Sequence, residues 1–389
     1  MRDDVVIVDA VRTPIGRRGG ALAGLHSADL LGDVQRALLD RAGVEPALVG
    51  QVIGGCVSQV GMQSYNVTRT AWLSAGLPET CPATTVDAQC GSSQQALTIA
   101  TGLIAAGLVD VAVACGVETM SNVPLGSSIG QGVGKAIPRS YFQRYEFTTQ
   151  FEGAERIAER WGITRSDVDE YGLESQRRLG CAWTERRFDS QLVPIDHCTP
   201  RRDGGFDRHR LDRDEGLRDT SLEALRGLKP VARPDGVHTA GTSSQISDGA
   251  AAVLLASAAR ARELGLRPRA RVVDTCTVGS DPVLILTGPI PATRMLLERS
   301  GMRVGDVDLV EINEAFASVV LAWERELGFP PDVVNGNGGA IAHGHPLGAT
   351  GACLIAKAVH ELERSDASTA LVTMCCGGGL GTATLLERT

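Results

Sequence analysis

The chain has 389 residues, 43% of them apolar and 22% charged, which excludes a disordered protein and allows about two to four domains. Its net charge of −8, without a dense run of Lys and Arg, argues against a nucleic-acid-binding protein, because phosphate contacts need concentrated cationic side chains. Ten scattered cysteines without a Cys-x-x-Cys spacing predict neither a disulfide framework nor a zinc ribbon, and they favour a reducing cytoplasm.

The N-terminal part alternates strand-like and helix-like segments. Residues 5–8 form a continuous apolar run typical of a buried strand, and no signal-peptide core precedes it. Ser27 is the predicted N-cap of an amphipathic helix that ends at Gly43, and residues 51–57 and 109–115 are the next predicted strands. This alternation predicts a largely parallel sheet covered by helices.

Residues 84–96 contain the candidate nucleophile, Cys90. Three β-branched residues precede it and an apolar-rich stretch follows it, so Cys90 is predicted where a strand turns into a helix. Free N–H groups at a helix start lower the pKa of a thiol, and the thiolate is the form that attacks a carbonyl carbon. The alternative is that Cys90 is a small buried hydrophobic residue, the usual role of a free cysteine.

The character of the chain changes in the middle and then returns. Residues 119–238 are rich in Arg, Asp and Glu and predict an inserted domain, with helical patterns at 152–161 and 166–179. Residues 247–257 resume strand-like apolar sequence. We therefore predict an N-terminal half at 1–118 that is continued by 239–268, and a C-terminal half at 269–389.

The C-terminal half repeats the pattern of the first. The predicted elements are strands at 271–275, 307–312 and 370–374, a helix at 291–300 and a small-residue helix from Ala349. Two windows without Asp, Glu, Lys or Arg, 88–109 and 333–356, lie at matching places and contain enough polar residues to indicate buried helices rather than membrane spans. This favours a duplicated α/β unit over the loose repetition found in any α/β protein.

Four motifs carry the candidate chemistry. They are Gln89-Cys90-Gly91-Ser92, Asn313-Glu314-Ala315-Phe316, the stretch 337–348 with His343-Gly344-His345-Pro346, and Cys375-Cys376-Gly377-Gly378-Gly379. By these motifs the chain resembles the thiolases, the acyl-CoA C-acetyltransferases, over essentially its whole length. The resemblance implies an α/β thiolase fold: two duplicated βαβαβ-type halves packed in α-β-α-β-α layers, with an inserted loop domain that binds CoA.

Breaking a carbon–carbon bond beside a ketone needs a nucleophile, an oxyanion stabiliser and an acid for the departing enolate. The resemblance assigns Cys90 as the nucleophile that keeps the acyl group, and Cys375 as the acid and base. It assigns His345 to activating the thiol and lining one oxyanion hole, where Asn313 holds a water. The N–H of Gly377, with that of Cys90, forms a second oxyanion hole.

Other residues of the motifs have weaker assignments. We interpret Cys376 as packing and Glu314 as a brace of its loop. His343 and His345 form a His-x-His pair, but two ligands without a third are weak support for a metal site, so no metal is predicted.

The co-substrate implied by the resemblance is coenzyme A, with no permanently bound cofactor. Arg218 is expected to face the adenine and phosphate end of CoA, and Ser244 the pantetheine arm. Gln245 replaces the glycine that commonly follows this serine. The resemblance also implies a homodimer or homotetramer, and residues 122–144 resemble the loop that joins dimers into tetramers.

Alternative functions differ in specific residues. A ketoacyl synthase pairs one cysteine with two histidines, or with a histidine and an asparagine, and lacks the equivalent of Cys375. A non-catalytic lipid-binding protein on this fold would have lost an active residue, and none is missing. A Rossmann domain is excluded because no Gly-x-Gly-x-x-Gly follows the first strand.

The substrate prediction rests on a departure from the family pattern. Short-chain biosynthetic thiolases carry a Met-Gly-x-Thr-Ala-Glu stretch whose methionine narrows the acyl pocket, and here Gln150 stands in its place. The lead into Cys90, 86–89, resembles that of degradative thiolases for branched or sterol-derived acyl-CoAs. We predict thiolysis of a 3-ketoacyl-CoA bulkier than acetoacetyl-CoA, in fatty-acid or sterol-type degradation. A biosynthetic acetoacetyl-CoA thiolase, with Phe151 closing the pocket, is the alternative.

Overall fold

A computed structural model describes residues 4–129, 132, 134–200 and 205–389. The first part contains β1 (Val5–Arg12), β2 (Gly16–Arg17), α1 (Ser27–Ala42), β3 (Gln51–Gly55), α2 (Val67–Ser74), β4 (Ala83–Val86), α3 (Ser92–Ala105) and β5 (Val111–Thr119). The middle part contains α4 (Arg139–Phe142), α5 (Gln150–Arg160), α6 (Arg165–Thr184), β6 (Ile195–Pro200), β7 (Phe206–Leu211) and α7 (Leu222–Arg226). The last part contains β8 (Ser247–Ser257), α8 (Ala258–Glu263), β9 (Ala270–Gly279), α9 (Pro289–Ser300), β10 (Leu309–Ile312), α10 (Ala317–Leu327), α11 (Ala340–His343), α12 (Thr350–Ser365), β11 (Thr369–Cys376) and β12 (Leu380–Arg388).

A ten-stranded sheet runs through the molecule in the order β10-β11-β12-β9-β1-β8-β5-β3-β4, with β2 paired to β8. Only the pairs β3–β4, β3–β5 and β10–β11 of this described sheet are parallel. The prediction of a largely parallel sheet is therefore wrong. Strands that are buried on both faces read as continuous apolar runs whatever their direction, and β11 and β12 are joined by a short turn that permits only antiparallel pairing.

The strand order confirms the predicted duplication. The set β3-β5-β8-β1 and the set β10-β11-β12-β9 have the same order and the same pairing directions. An isolated parallel bridge between Val310 and Val334 stands where β3 pairs with β4 in the other set. The two sets meet where β1 and β9 pair antiparallel, Val6 with Arg271 and Ile7 with Ala270.

The helices and strands are stacked in the five predicted α-β-α-β-α layers, held together by apolar residues. Helices α1 and α2 pack on the outer face of the first set of strands, and α9 and α10 on the outer face of the second. Helices α3 and α12 lie between the two sets, in a core built largely from Ala, Val, Ile and Leu. These two central helices correspond to the uncharged windows of the sequence. None of the helices in the described part of the chain combines the length and apolar character that crossing a bilayer requires.

Helix α1 begins at Ser27, its predicted cap, and therefore one residue earlier than predicted. His26 is the N-cap, and its Nδ1 accepts a hydrogen bond from the N–H of Ala28 at 3.2 Å. Ser27 is instead the first residue of the helix, and its hydroxyl bonds Thr119 Oγ1 at 2.6 Å. The predicted end is confirmed, because Gly43 adopts φ +64°, a left-handed conformation that favours glycine.

Candidate active site

The four motifs lie on four loops that converge between the two sets of strands. Cys90 precedes α3, Asn313 follows β10, His345 lies between α11 and α12, and Cys375 is the last but one residue of β11. Cys90 and His345 line one pocket. The thiols of Cys90 and Cys375 lie close enough that a negative charge on Cys90 raises the pKa of Cys375. The structure therefore brings the predicted catalytic residues together.

The loop that presents Cys90 is held in an uncommon backbone conformation. Gln89 has φ +54°, which non-glycine residues rarely adopt. Its N–H donates to Asp87 Oδ1 at 2.6 Å, and the hydroxyl of Ser92 donates to its carbonyl at 2.5 Å. The predicted position of Cys90 between a strand and a helix is confirmed, since β4 ends at Val86 and α3 begins at Ser92.

The predicted low pKa of Cys90 is wrong. Burial raises the pKa of this thiol to about 12, although the N–H groups of Gly377 and of Cys90 itself act in the opposite direction. Desolvation of a thiolate outweighs the attraction of two amides. Cys90 is therefore a neutral thiol at pH 7 and needs a base to become a nucleophile.

His345 lines the same pocket as Cys90 and is the candidate base. Its Nδ1 is 2.6 Å from the hydroxyl of Thr350, the first residue of α12, and its Nε2 is 3.5 Å from Asn313 Nδ2. Burial lowers the pKa of the imidazole to about 4, so the ring is neutral at pH 7 and can accept a proton. Thr350, which sequence analysis missed, fixes the ring orientation. The sequence does contain a signal for this role, namely a hydroxyl residue that begins a helix five positions after the histidine.

Asn313 has an unused acceptor. Its backbone N–H donates to the carbonyl of Thr373 at 3.1 Å, and its side chain is buried. Among the residues that the structure describes, its Oδ1 has no hydrogen-bond partner. A buried polar atom without a partner is costly, so Oδ1 is suited to bind a water or a ligand atom.

The last two residues of β11 are cysteines, which lie on opposite faces of the strand. Cys375 packs with Ile341 and Phe316, and burial, with the nearby sulfurs of Cys90 and Cys376, raises its pKa. Cys376 lies beneath Gly91, where a Cβ would be 2.6 Å from its sulfur. This close contact is what a packing role for Cys376 predicts, and it leaves no space for a side chain at position 91.

Glu314 braces the loop in which it lies. Its carboxylate accepts hydrogen bonds from the Tyr171 hydroxyl at 3.0 Å, the Ser175 hydroxyl at 2.7 Å and the N–H of Ile341 at 3.1 Å. Tyr171 and Ser175 belong to α6, and Ile341 to α11. Glu314 thus ties the middle segment of the chain to the loop that carries His345.

A second buried carboxylate, Glu118, escaped sequence analysis. It accepts hydrogen bonds from the N–H groups of Val57, Ser58 and Gly348 and from the amide of Gln63, at 2.7–3.1 Å. It fixes the loop after β3 against the loop that follows His345. No local pattern in the sequence distinguishes an acid with this role.

The side chain of His343 makes its own contact, separate from those of His345. Its Nδ1 donates to the carbonyl of Gly344 at 2.8 Å, and burial holds its pKa well below the usual range. In the described part of the chain, no three or more His, Cys, Asp or Glu side chains are arranged to hold a metal ion.

The two predicted CoA-binding residues lie in neighbouring places. Ser244 is half-buried and lines the Cys90 pocket. Arg218 is exposed at the edge of a groove formed with Leu225, Leu228 and Gly241, and its guanidinium has no hydrogen-bond or ion-pair partner among the described residues. The segment 241–244 connects the groove to the pocket.

The pocket beside Cys90 is narrow and mostly apolar. It holds about 50 Å³ of water-accessible space. Phe151 packs edge-on against Phe316, with ring centroids 5.5 Å apart, and forms one wall. Gln150, at the start of α5, also lines the pocket. The structure therefore places both residues singled out for acyl specificity beside the candidate nucleophile.

Alkylation of Cys90 by iodoacetamide is expected to accelerate about tenfold per pH unit from pH 6 to pH 9, without a plateau. The pKa values of Cys90, about 12, and of His345, about 4, both lie outside this range, so only the thiolate fraction of Cys90 changes. The rate is measured by mass spectrometry of the Cys90 peptide, with an unstructured cysteine peptide as the control whose rate is half-maximal near pH 8.5. A plateau starting below pH 8 would show a thiolate–imidazolium pair and contradict this expectation.

Known proteins match this chain over nearly its whole length. The family description "Thiolase, N-terminal domain" matches residues 5–259, and "Thiolase, C-terminal domain" matches residues 266–388. The chain is 46% identical over 393 residues to the steroid 3-ketoacyl-CoA thiolase FadA6 of Mycobacterium tuberculosis, covering 99% of this chain and 94% of that protein. It is 43% identical over 408 residues to a beta-ketoadipyl-CoA thiolase of Escherichia coli, covering 99% of each. The crystal structure of the Bacillus anthracis acetyl-CoA acetyltransferase superposes with a TM-score of 0.91 at 38% identity, covering 100% of this chain and 99% of that one.

Proposed function

This chain belongs to the thiolase family and is an acyl-CoA C-acyltransferase, and from that premise we propose that it cleaves a 3-ketoacyl-CoA through an acyl-enzyme on Cys90. The observation that carries the mechanism is the convergence of a buried thiol, a neutral imidazole and a backbone N–H in one pocket. Family membership rules out the ketoacyl synthase and the non-catalytic alternatives.

In the first step, His345 accepts the proton of the Cys90 thiol and the sulfur attacks the 3-keto carbon. The N–H groups of Cys90 and Gly377 are positioned for the oxyanion that forms, since both act on the sulfur from close range. The bond between C2 and C3 then breaks, and its electron pair moves to C2 as the enolate of acetyl-CoA. His345 and a water on Asn313 would stabilise the enolate oxygen.

Cys375 supplies the proton for that enolate. Burial raises the pKa of Cys375, so the thiol is protonated at pH 7 and can act as an acid at C2. In the second half of the reaction, the Cys375 thiolate takes the proton of an incoming CoA thiol. The CoA sulfur attacks the thioester on Cys90, the shortened acyl-CoA leaves, and Cys90 recovers its proton from His345.

CoA is proposed to lie along the segment 241–244. Ser244 lies beside Cys90 and suits the pantetheine arm, whose thiol end must reach the nucleophile. The guanidinium of Arg218, which has no ion-pair partner among the described residues, suits the phosphate end, because a phosphate accepts charge-assisted hydrogen bonds. No permanently bound cofactor enters this mechanism.

We propose that the enzyme acts in a β-oxidation-type degradation in the cytoplasm, as a homodimer or homotetramer. The proposed assembly is supported by large exposed apolar side chains on the segment after β5, among them Ile129 and Phe142. Part of the loop predicted to join dimers, 122–144, lies outside the described residues.

The proposed substrate is a 3-ketoacyl-CoA bulkier than acetoacetyl-CoA. The support is Gln150 in place of a pocket-narrowing methionine, and similarity to a protein described as a steroid 3-ketoacyl-CoA thiolase. Thiolysis kcat/KM is expected to rise about tenfold or more from acetoacetyl-CoA to branched and ring-bearing 3-ketoacyl-CoAs, since each well-fitted methylene is worth about 1–3 kcal/mol. The measurement follows acetyl-CoA release across this series. A steady decline with size would favour the biosynthetic acetoacetyl-CoA alternative and leave the thiolase assignment intact.

A further inference from the structure

The pocket beside Cys90 contains a side-chain amide without a hydrogen-bond partner in the part of the chain that the structure describes. Gln150 is half-buried on the pocket wall, and among the described residues its amide has no hydrogen-bond partner. A half-buried amide can still bond water, and a ligand that offers a hydrogen-bonding group in the same place can replace that water.

Two polar side chains across the pocket are already engaged. The hydroxyl of Ser243 donates to the carbonyl of Thr239 at 2.8 Å. The amide nitrogen of Gln245 lies 2.9–3.0 Å from three backbone carbonyls, those of residues 216, 341 and 342. These contacts hold the wall in shape, whereas the Gln150 amide is available to a ligand.

The surroundings of Gln150 limit the kind of ligand group it can meet. The described lining residues include no Lys, Arg, Asp or Glu. Phe151, Phe316 and Leu286 supply an apolar surface beside it. A carboxylate in this place would lose water without gaining a cation, so a neutral polar group fits better.

We propose that Gln150 is a specificity-determining residue that hydrogen-bonds a ketone or hydroxyl group on the acyl part of the substrate. This inference rests on the thiolase function proposed above and names the substrate class more closely. The apolar wall formed by Phe151 and Phe316 would hold the carbon skeleton that carries the group. A distal carboxylate would be disfavoured.

The test compares matched 3-ketoacyl-CoAs that differ only by a second ketone in place of a methylene. One pair is open-chain and one pair carries a six-membered ring, and a fifth substrate ends in a carboxylate. Wild type is expected to prefer the second ketone about tenfold in kcat/KM, and Gln150→Met is expected to bring that ratio close to one. Phe151→Leu is the control, which should change size preference and keep the ketone preference.

Three results would overturn the inference. The first is a ketone preference that survives in Gln150→Met. The second is a higher wild-type kcat/KM for the carboxylate substrate than for the ketone. The third is a loss of kcat/KM in Gln150→Met that is equal for every substrate. The last result would place the Gln150 amide against the CoA arm, which all substrates share. Failure of the thiolase function itself is distinguishable, because wild type would then release no acetyl-CoA from any substrate, acetoacetyl-CoA included.

Discussion

Replacing Cys90 with alanine is expected to lower thiolysis kcat by about ten-thousandfold or more, because a covalent route cannot run without its nucleophile. The variant should also form no acyl adduct when it is incubated with a 3-ketoacyl-CoA. Intact-mass measurement reports the adduct, and peptide mapping locates it on wild-type Cys90. Alkylation of Cys90 in wild type should also abolish activity.

The neighbouring thiol provides the control. Cys376→Ala removes a buried sulfur that packs beneath Gly91 and should leave acylation of Cys90 detectable, with a modest loss of stability from the small cavity. An acyl adduct on any other cysteine of the Cys90→Ala enzyme would show that the nucleophile has been misassigned.

Substitution of Cys375 by serine is expected to separate the two halves of the reaction. Acylation of Cys90 by a simple acyl-CoA should remain detectable, since it does not require protonation of a carbon. Thiolysis turnover should fall about a hundredfold or more, because a serine hydroxyl is a much weaker acid than the buried thiol. Intact mass after a single turnover reports acylation, and steady-state release of acetyl-CoA reports thiolysis.

Thermal unfolding and the separate assays of acylation and thiolysis distinguish an acid–base role of Cys375 from a structural one. Cys375 is fully buried against Ile341 and Phe316, so a serine could also disturb packing. Unchanged thermal unfolding together with a selective loss of thiolysis supports an acid–base role. Parallel loss of acylation and thiolysis would instead point to a structural role.

The features that depend only on neighbouring residues could be predicted from the sequence. Cys90 could be placed at a strand-to-helix junction because the change from β-branched to small residues occurs within a few positions. The end of α1 at Gly43 followed from a glycine that the backbone requires there. Both features depend on neighbours in the chain, which a single sequence displays.

Features that depend on distant residues could not be predicted in this way. Glu118 contacts residues 61 positions before it and 230 positions after it, and nothing near it in the sequence marks those partners. The sequence predicts a lowered pKa for Cys90, whereas the structure raises it. The amides that lower the pKa are neighbours in the chain, but the burial that raises it is created by the whole fold. Strand β12 went unrecognised because it follows a glycine run and is buried at most positions, so it shows no alternation.

The antiparallel contact of β1 with β9 joins equivalent strands of the two repeats, so the repeats are related by an approximate twofold axis. About that axis, the loop before α3 and the loop before α12 occupy equivalent positions, and they carry Cys90 and His345 respectively. A symmetric pair of identical half-chains would have to place the same side chain in both loops. Fusion of the two copies into one gene removes that constraint and lets one loop specialise as the nucleophile and the other as its base.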